Sequence, residues 1–184
     1  MRVFGQMKHQ VMMKKLLSLL IFSLFIACQT NEARRPIQYK TGSFLNTSIA
    51  TNKAINNQEY NLIENFISNS KENYIRSSYG FWYKYDIKNI KSEYTPKFGD
   101  LVTYSFGVKD LNGNWIYSPK ETKQKNYYVE QEELFSGLRE GLKLMKKGEK
   151  ITFIFPSQLA YGYYGDTHRI GADTPLIYQV TVRN

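Results

Sequence analysis

Residues 137–166 read GLREGLKLMKKGEKITFIFPSQLAYGYYGD, and residues 170–182 read IGADTPLIYQVTV. Leu134, Leu138, Leu142 and Met145 recur at helical spacing, the apolar stripe of a helix laid on a core. Gly148 suits the residue that ends such a helix in a left-handed conformation. Ile151, Phe153 and Phe155 then recur at every second position until Pro156. That period is a strand, and proline stops it because it cannot donate to the ladder. Leu176, Tyr178, Val180 and Val182 finish with the same period.

The pattern continues upstream. Val102, Tyr104, Phe106 and Val108 alternate with Thr103, Ser105 and Gly107, one buried face and one open. Asn112-Gly113 marks a tight turn, after which Trp115-Ile116-Tyr117 resumes a strand. Residues 79–85 are an aromatic strand candidate, and 86–95 a charged connection. Tyr60, Ile63 and Ile67, with Phe66 beside them, predict a helix over residues 57–70. Residues 29–56 are polar with no period and read as a tether. One helix among mostly antiparallel strands gives an α+β class, a half-barrel sheet wrapped on one short helix with a short N-terminal helical appendage. The expected division is 1–27 signal peptide, 28–56 tether, 57–78 helical appendage and 79–184 main domain.

The N-terminal signal is equally legible. Lys14-Lys15 precedes an apolar run over residues 16–27, ending at Cys28, the single cysteine. A basic start, a short apolar stretch and a small residue at the cut describe a secretory signal. At 1.5 Å per residue the run covers about 18 Å, short of a bilayer core of about 30 Å. Leu-Phe-Ile-Ala-Cys resembles a bacterial lipobox, although Phe25 stands where a smaller aliphatic residue is usual. Cys28 is therefore the expected lipidation site, and the membrane, through that anchor, an expected partner. Gln29 and the lack of an acidic cluster after it fit a periplasm-facing location.

Composition limits the chemistry. Of 184 residues, 42% are apolar, enough for one core, and 15% are aromatic, mostly tyrosine. The net charge of +9 falls to +5 once Arg2, Lys8, Lys14 and Lys15 leave with the signal. No basic run accompanies a nucleic-acid motif, so no nucleic-acid partner is expected. A lone cysteine excludes an internal disulfide, and His9 and His168 stand apart from any ligand cluster. No nucleophile elbow, phosphate loop or metalloprotease helix is present. The expected chemistry needs no cofactor, no metal and no ionisable nucleophile.

Six ordered pieces then carry a resemblance over residues 79–184. They are Pro96/Gly99-Asp100, Asp110-Leu-Asn-Gly113, the 134–142 stretch LFSGLREGL, the 143–150 stretch KLMKKGEK, Ala160-Tyr161-Gly162 and Leu176-Ile177-Tyr178. Together they resemble the FKBP-type peptidyl-prolyl isomerases. With Gly80-Phe81-Trp82-Tyr83 and the lipoprotein layout, the chain is most similar to gliding-motility-associated isomerase lipoproteins of the Bacteroidetes.

The resemblance implies an apolar pocket for the proline ring. Phe106, Ile116, Tyr117, Leu134 and Tyr178 would line it, Tyr127 would add a wall, and Leu138 would be its floor. The Phe135 N–H and the Tyr161 hydroxyl would donate to the bound peptide, making Tyr161, Phe135 and Leu138 the expected catalytic set. Against the family pattern, Leu138 replaces a tryptophan, Tyr117 an aspartate, Phe106 a tyrosine and Ile116 a phenylalanine. His168 falls in a flap that faces substrate in the family. The implied partners are proline-containing segments of unfolded or exported proteins. The implied alternative is a catalytically weak chaperone or scaffold of the same fold that grips extended peptides.

Overall fold

A computed structural model describes residues 41–183. The expected signal peptide, Cys28 and the first part of the tether lie outside the described residues. In chain order the elements are α1 (Thr41–Asn69), β1 (Ile75–Arg76), β2 (Trp82–Ile87), β3 (Leu101–Lys109) and β4 (Trp115–Tyr117). There follow α2 (Pro119–Thr122), β5 (Gln124–Tyr128), α3 (Ser136–Leu144), β6 (Lys150–Phe155) and β7 (Leu176–Val182). Two 3₁₀ turns, Ser157–Leu159 and Gly162–Tyr164, lie between β6 and β7.

Every strand pairing is antiparallel, in the order β1-β2-β6-β7-β3-β4, with β5 also on β3. This is the expected α+β half-barrel on a short helix. β3 organises the sheet. One edge pairs with β7; the other pairs first with β5, from Leu101 to Ser105, and then with β4 at Val108 and Lys109. Between those partners the Phe106 carbonyl accepts a hydrogen bond from the Thr122 hydroxyl at the end of α2. Ser118 and Glu121 form a capping box with Pro119 at the first turn, which sets this one-turn helix in the gap.

The two sheet faces bury different cores. α3 lies on one face, packed by Leu138 and Leu142 against Phe153, Phe155, Tyr178 and Val180. Across the sheet, Ile63 of α1 joins Trp82, Ile154 and Ile177, flanked by Tyr60, Phe66 and Ile67. Burial on both faces explains why β6 is almost continuously apolar.

Gly137 and Gly141 bring α3 close. A Cβ on Gly137 would stand 2.7 Å from the Leu159 carbonyl oxygen and from Phe155, and one on Gly141 3.0 Å from the Phe153 ring. α1 is fixed by a buried polar contact. The Glu59 carboxyl accepts from the Ser157 N–H at 2.7 Å and from its hydroxyl at 2.5 Å. The Gln158 side-chain amide donates to Tyr60 Oη at 2.8 Å.

Three readings of the sequence need correction. Residues 41–56 are helical, not a tether: α1 starts at Thr41 and ends at Asn69, within the expected appendage. Leu45 and Ile49 are exposed there, so no buried face imposes a period. The packed second half supplies the costly nucleus, and residues 43–69, which lack glycine and proline, propagate the helix from it. Second, β2 runs to Ile87, so Asp86 belongs to a strand, its carboxylate accepting from the Thr152 hydroxyl at 2.7 Å. Third, β5 is a strand although its sequence, QKNYY, lacks alternation, because only Tyr127 of its five residues is buried.

Gly137→Ala is expected to cost about 1–3 kcal/mol through overpacking. Glu59→Ala, which leaves the buried Ser157 amide unpaired, should cost about 1–3 kcal/mol. Urea unfolding midpoints of the described domain measure both.

Candidate active site

The chain brings the eight expected pocket residues into one hydrophobic cluster. Phe106 comes from β3, Ile116 and Tyr117 from β4, and Leu134 and Phe135 from the entry to α3. Leu138 comes from α3, Tyr161 from between the 3₁₀ turns, and Tyr178 from β7. Phe106 stacks on Tyr178 with centroids 5.6 Å apart and planes at 12°. Phe135 meets Tyr178 edge-on at 5.3 Å and tilts against Tyr161 at 5.3 Å. These four rings make a continuous aromatic surface. Leu138 and Tyr178 are only 2% and 1% exposed, while the other six are half-buried. The expected floor is thus a sealed layer beneath a half-open rim, as suits a leucine too short to reach where a tryptophan would.

The polar groups of the site are few. The Tyr161 and Tyr178 hydroxyls are 3.2 Å apart and either can be the donor. Burial, then the proximity of the Tyr161 phenol, pushes the Tyr178 phenol far above its ordinary range. Burial pushes Tyr104 behind it up to about 12. Tyr178 therefore keeps its proton and needs an acceptor. When it donates to Tyr161, the Tyr161 proton is left to point outward. Phe135 has an extended backbone as the residue before α3, and its carbonyl accepts from the Arg139 N–H at 3.1 Å. Its own amide has no acceptor among the described residues. These two donors beside an apolar rim can hold a peptide carbonyl while its neighbouring ring is withdrawn from water.

A latch closes one side. Asp166, in the flap after the second 3₁₀ turn, accepts the Tyr117 hydroxyl and the N–H groups of His168, Arg169 and Ile170 at 2.8–2.9 Å. Partial burial works against its charge, but the bonds from Tyr117 and the three amides outweigh that and hold its carboxyl below the usual range. Arg169 lies over the Tyr117 ring at 5.1 Å and donates to the Ile116 carbonyl at 2.9 Å and to Glu121 at 3.1 Å. Hydrogen bonds from Ser118 and then Arg169 lower Glu121 to about 2. The bend requires Gly165, whose φ is +66° and where a Cβ would stand 2.1 Å from the Ile170 carbonyl oxygen.

Asp166, Arg169 and Ile170 were not foreseen in the sequence. Ile170 is buried in the site's cluster, and the only signal for it was an isolated apolar residue in a polar flap. Tyr127, the further wall the resemblance implied, is buried in the same cluster, and its hydroxyl accepts from the Glu130 N–H at 3.0 Å. His168 is exposed and enters the latch only through its backbone.

This geometry agrees with what known proteins say of the chain. The sequence profile of the FKBP-type peptidyl-prolyl cis-trans isomerases matches residues 92–183. The chain belongs to that family. It is 33% identical over 98 residues to a probable FKBP-type peptidyl-prolyl cis-trans isomerase of Haemophilus influenzae, covering 53% of this chain and 40% of that protein. The chain thus spans well under half of that relative's length. The fold is similar to a peptidyl-prolyl cis-trans isomerase from Pseudomonas syringae, with a TM-score of 0.59, 18% identity, and coverage of 72% of this chain and 93% of that one. It is also similar to FkpA from Escherichia coli, with a TM-score of 0.57, 23% identity, and coverage of 93% and 81%.

Asp166→Ala should free the flap, seen as faster hydrogen exchange at the amides of His168, Arg169 and Ile170 with the sheet unaffected. Because the folded carboxyl lies below its ordinary value, the latch contributes fully above about pH 4 and is lost only as pH falls through the lower, folded value. Tyrosine near-ultraviolet circular dichroism during acid titration checks the window.

Proposed function

We propose that this chain catalyses cis–trans isomerisation of prolyl peptide bonds in exported proteins. It does so from a periplasm-facing membrane, anchored by lipid on Cys28, and supports folding of envelope or gliding-motility components. One observation carries the catalytic part: Phe106, Phe135, Tyr161 and Tyr178 form a continuous aromatic surface over Leu138, with the Tyr161 hydroxyl at its edge.

The reaction breaks no covalent bond. Its barrier, about 18–20 kcal/mol, is lost amide resonance. Water stabilises the planar, polarised amide more than the twisted one, so an apolar surface that displaces water favours the twisted form. Donors fixed at the carbonyl keep it there. Each ~1.4 kcal/mol of such preference is worth tenfold in rate. No general base is needed, which fits phenols held neutral by burial. Export and the anchor are supported by the 14–28 sequence, and the motility link by the Gly80-Phe81-Trp82-Tyr83 likeness.

A second reading has its own observation. Leu138 is buried where the family presents a larger ring, which favours a domain that grips extended peptides with little turnover.

In a protease-coupled assay with a proline tetrapeptide, the wild-type domain should accelerate cis-to-trans conversion. Tyr161→Phe should lower kcat/KM about three- to tenfold, the worth of one net hydrogen bond. Leu138→Asp should abolish turnover. No acceleration by the wild type, with binding to unfolded protein retained, would establish the second reading instead. Cys28→Ala should move the full-length protein from the membrane to the soluble fraction; unchanged fractionation removes the anchor.

A further inference from the structure

A cleft is formed jointly by α1 and the two 3₁₀ turns that bracket Tyr161. Its volume is about 240 Å³, and its walls include Asn52, Ile55 and Asn56 of α1, with Gln158, Tyr163 and Asp173 opposite. Gly162, also on the wall, directly follows Tyr161 of the candidate active site in the chain. The Glu59–Ser157 and Tyr60–Gln158 bonds hold α1 in place beside it.

Its chemistry is specific. Asn52 and Asn56 lie one helical turn apart on the same face. Neither carboxamide, nor the Asp173 carboxylate, has a hydrogen-bond partner among the described residues. Each carboxamide offers both a donor and an acceptor, the complement of a peptide unit, which carries one of each. Ile55 and the 71%-exposed Tyr163 supply apolar surface between them. A volume of 240 Å³ lies below that of most drug-sized pockets; it suits one or two residues of an extended chain.

From this we infer that the cleft is a subsite for the polypeptide flanking the isomerised proline, with its backbone held by Asn52 and Asn56 and a basic side chain favoured by Asp173. The subsite rests on the isomerase reading of the candidate active site and makes α1 part of the substrate-binding surface. Short peptides end before reaching it, whereas unfolded proteins extend through it.

The test is the double variant Asn52→Ala/Asn56→Ala, which keeps α1 helical because alanine is the better helix former. Kinetics are compared for a proline tetrapeptide and for a long, lysine-containing peptide extended on both sides of the same proline. Fluorescence anisotropy of the labelled long peptide measures binding independently of turnover. The expected result is KM and dissociation constant raised about tenfold for the long peptide, with kcat and tetrapeptide kinetics unchanged. Asp173→Asn should weaken the lysine-containing peptide and leave its glutamate counterpart unaffected. Unchanged long-peptide binding overturns the subsite, as does an equal loss with both substrates, which would place the effect at Tyr161. If the wild type fails to turn over even the tetrapeptide, the isomerase reading falls, and anisotropy still decides the subsite.

Discussion

The close approach of α3 to β6 is the constraint on which the rest of the molecule depends. Gly137 and Gly141 leave no side chain between the helix and the rings of Phe155 and Phe153. At that distance Leu138 packs into the layer of Tyr178, and Phe135, the residue before the helix, is delivered edge-on to both Phe155 and Tyr178. A helix held one methyl group farther out would loosen the aromatic surface from below. Aromatic contacts are worth only about 0.5–1.5 kcal/mol each beyond their area burial, so their value here is largely positional: they fix the ring planes of the aromatic surface.

Much of this was legible because burial writes a period into sequence. β3, β6, β7 and α3 each bury one face or both, so their apolar residues recur at two or near 3.6 and can be read directly. That the eight expected pocket residues share one cluster was legible by a different route, since ordered motifs grouped them where spacing alone could not. What escaped reading was structure set by partners far along the chain. β5 buries a single tyrosine and is a strand because β3 offers it an edge. Residues 45–54 of α1 bury almost nothing, and they are helical because the second half of the helix is docked. Asp166 is a plain flap aspartate in the sequence; its role exists only once Tyr117 comes within reach across 49 residues.

That last contact alters the meaning of a family departure. A carboxylate is missing from position 117, where a tyrosine stands, yet the tyrosine hydroxyl meets a carboxylate supplied by the flap. Negative charge therefore remains beside the pocket rim, carried by a different segment. Arg169 balances it from above the Tyr117 ring and extends to Glu121. Exposed pairs of this kind add little to stability. Their effect is to tie the flap to Tyr117, Ile116 and Glu121.

The turn Ser157–Leu159 is where the two faces of the sheet meet. From one side α1 grips it, through Glu59 on Ser157 and Tyr60 on Gln158. From the other, α3 presses Gly137 against the Leu159 carbonyl. The Ala160 N–H closes the turn onto the Ser157 carbonyl at 2.8 Å, and Tyr161 comes next. The backbone that carries the Tyr161 phenol is thus clamped by helices packed on opposite faces. The same clamp leaves α1 lying beside Gly162. In the proposed subsite, that position puts α1 in contact with the polypeptide flanking the bound proline.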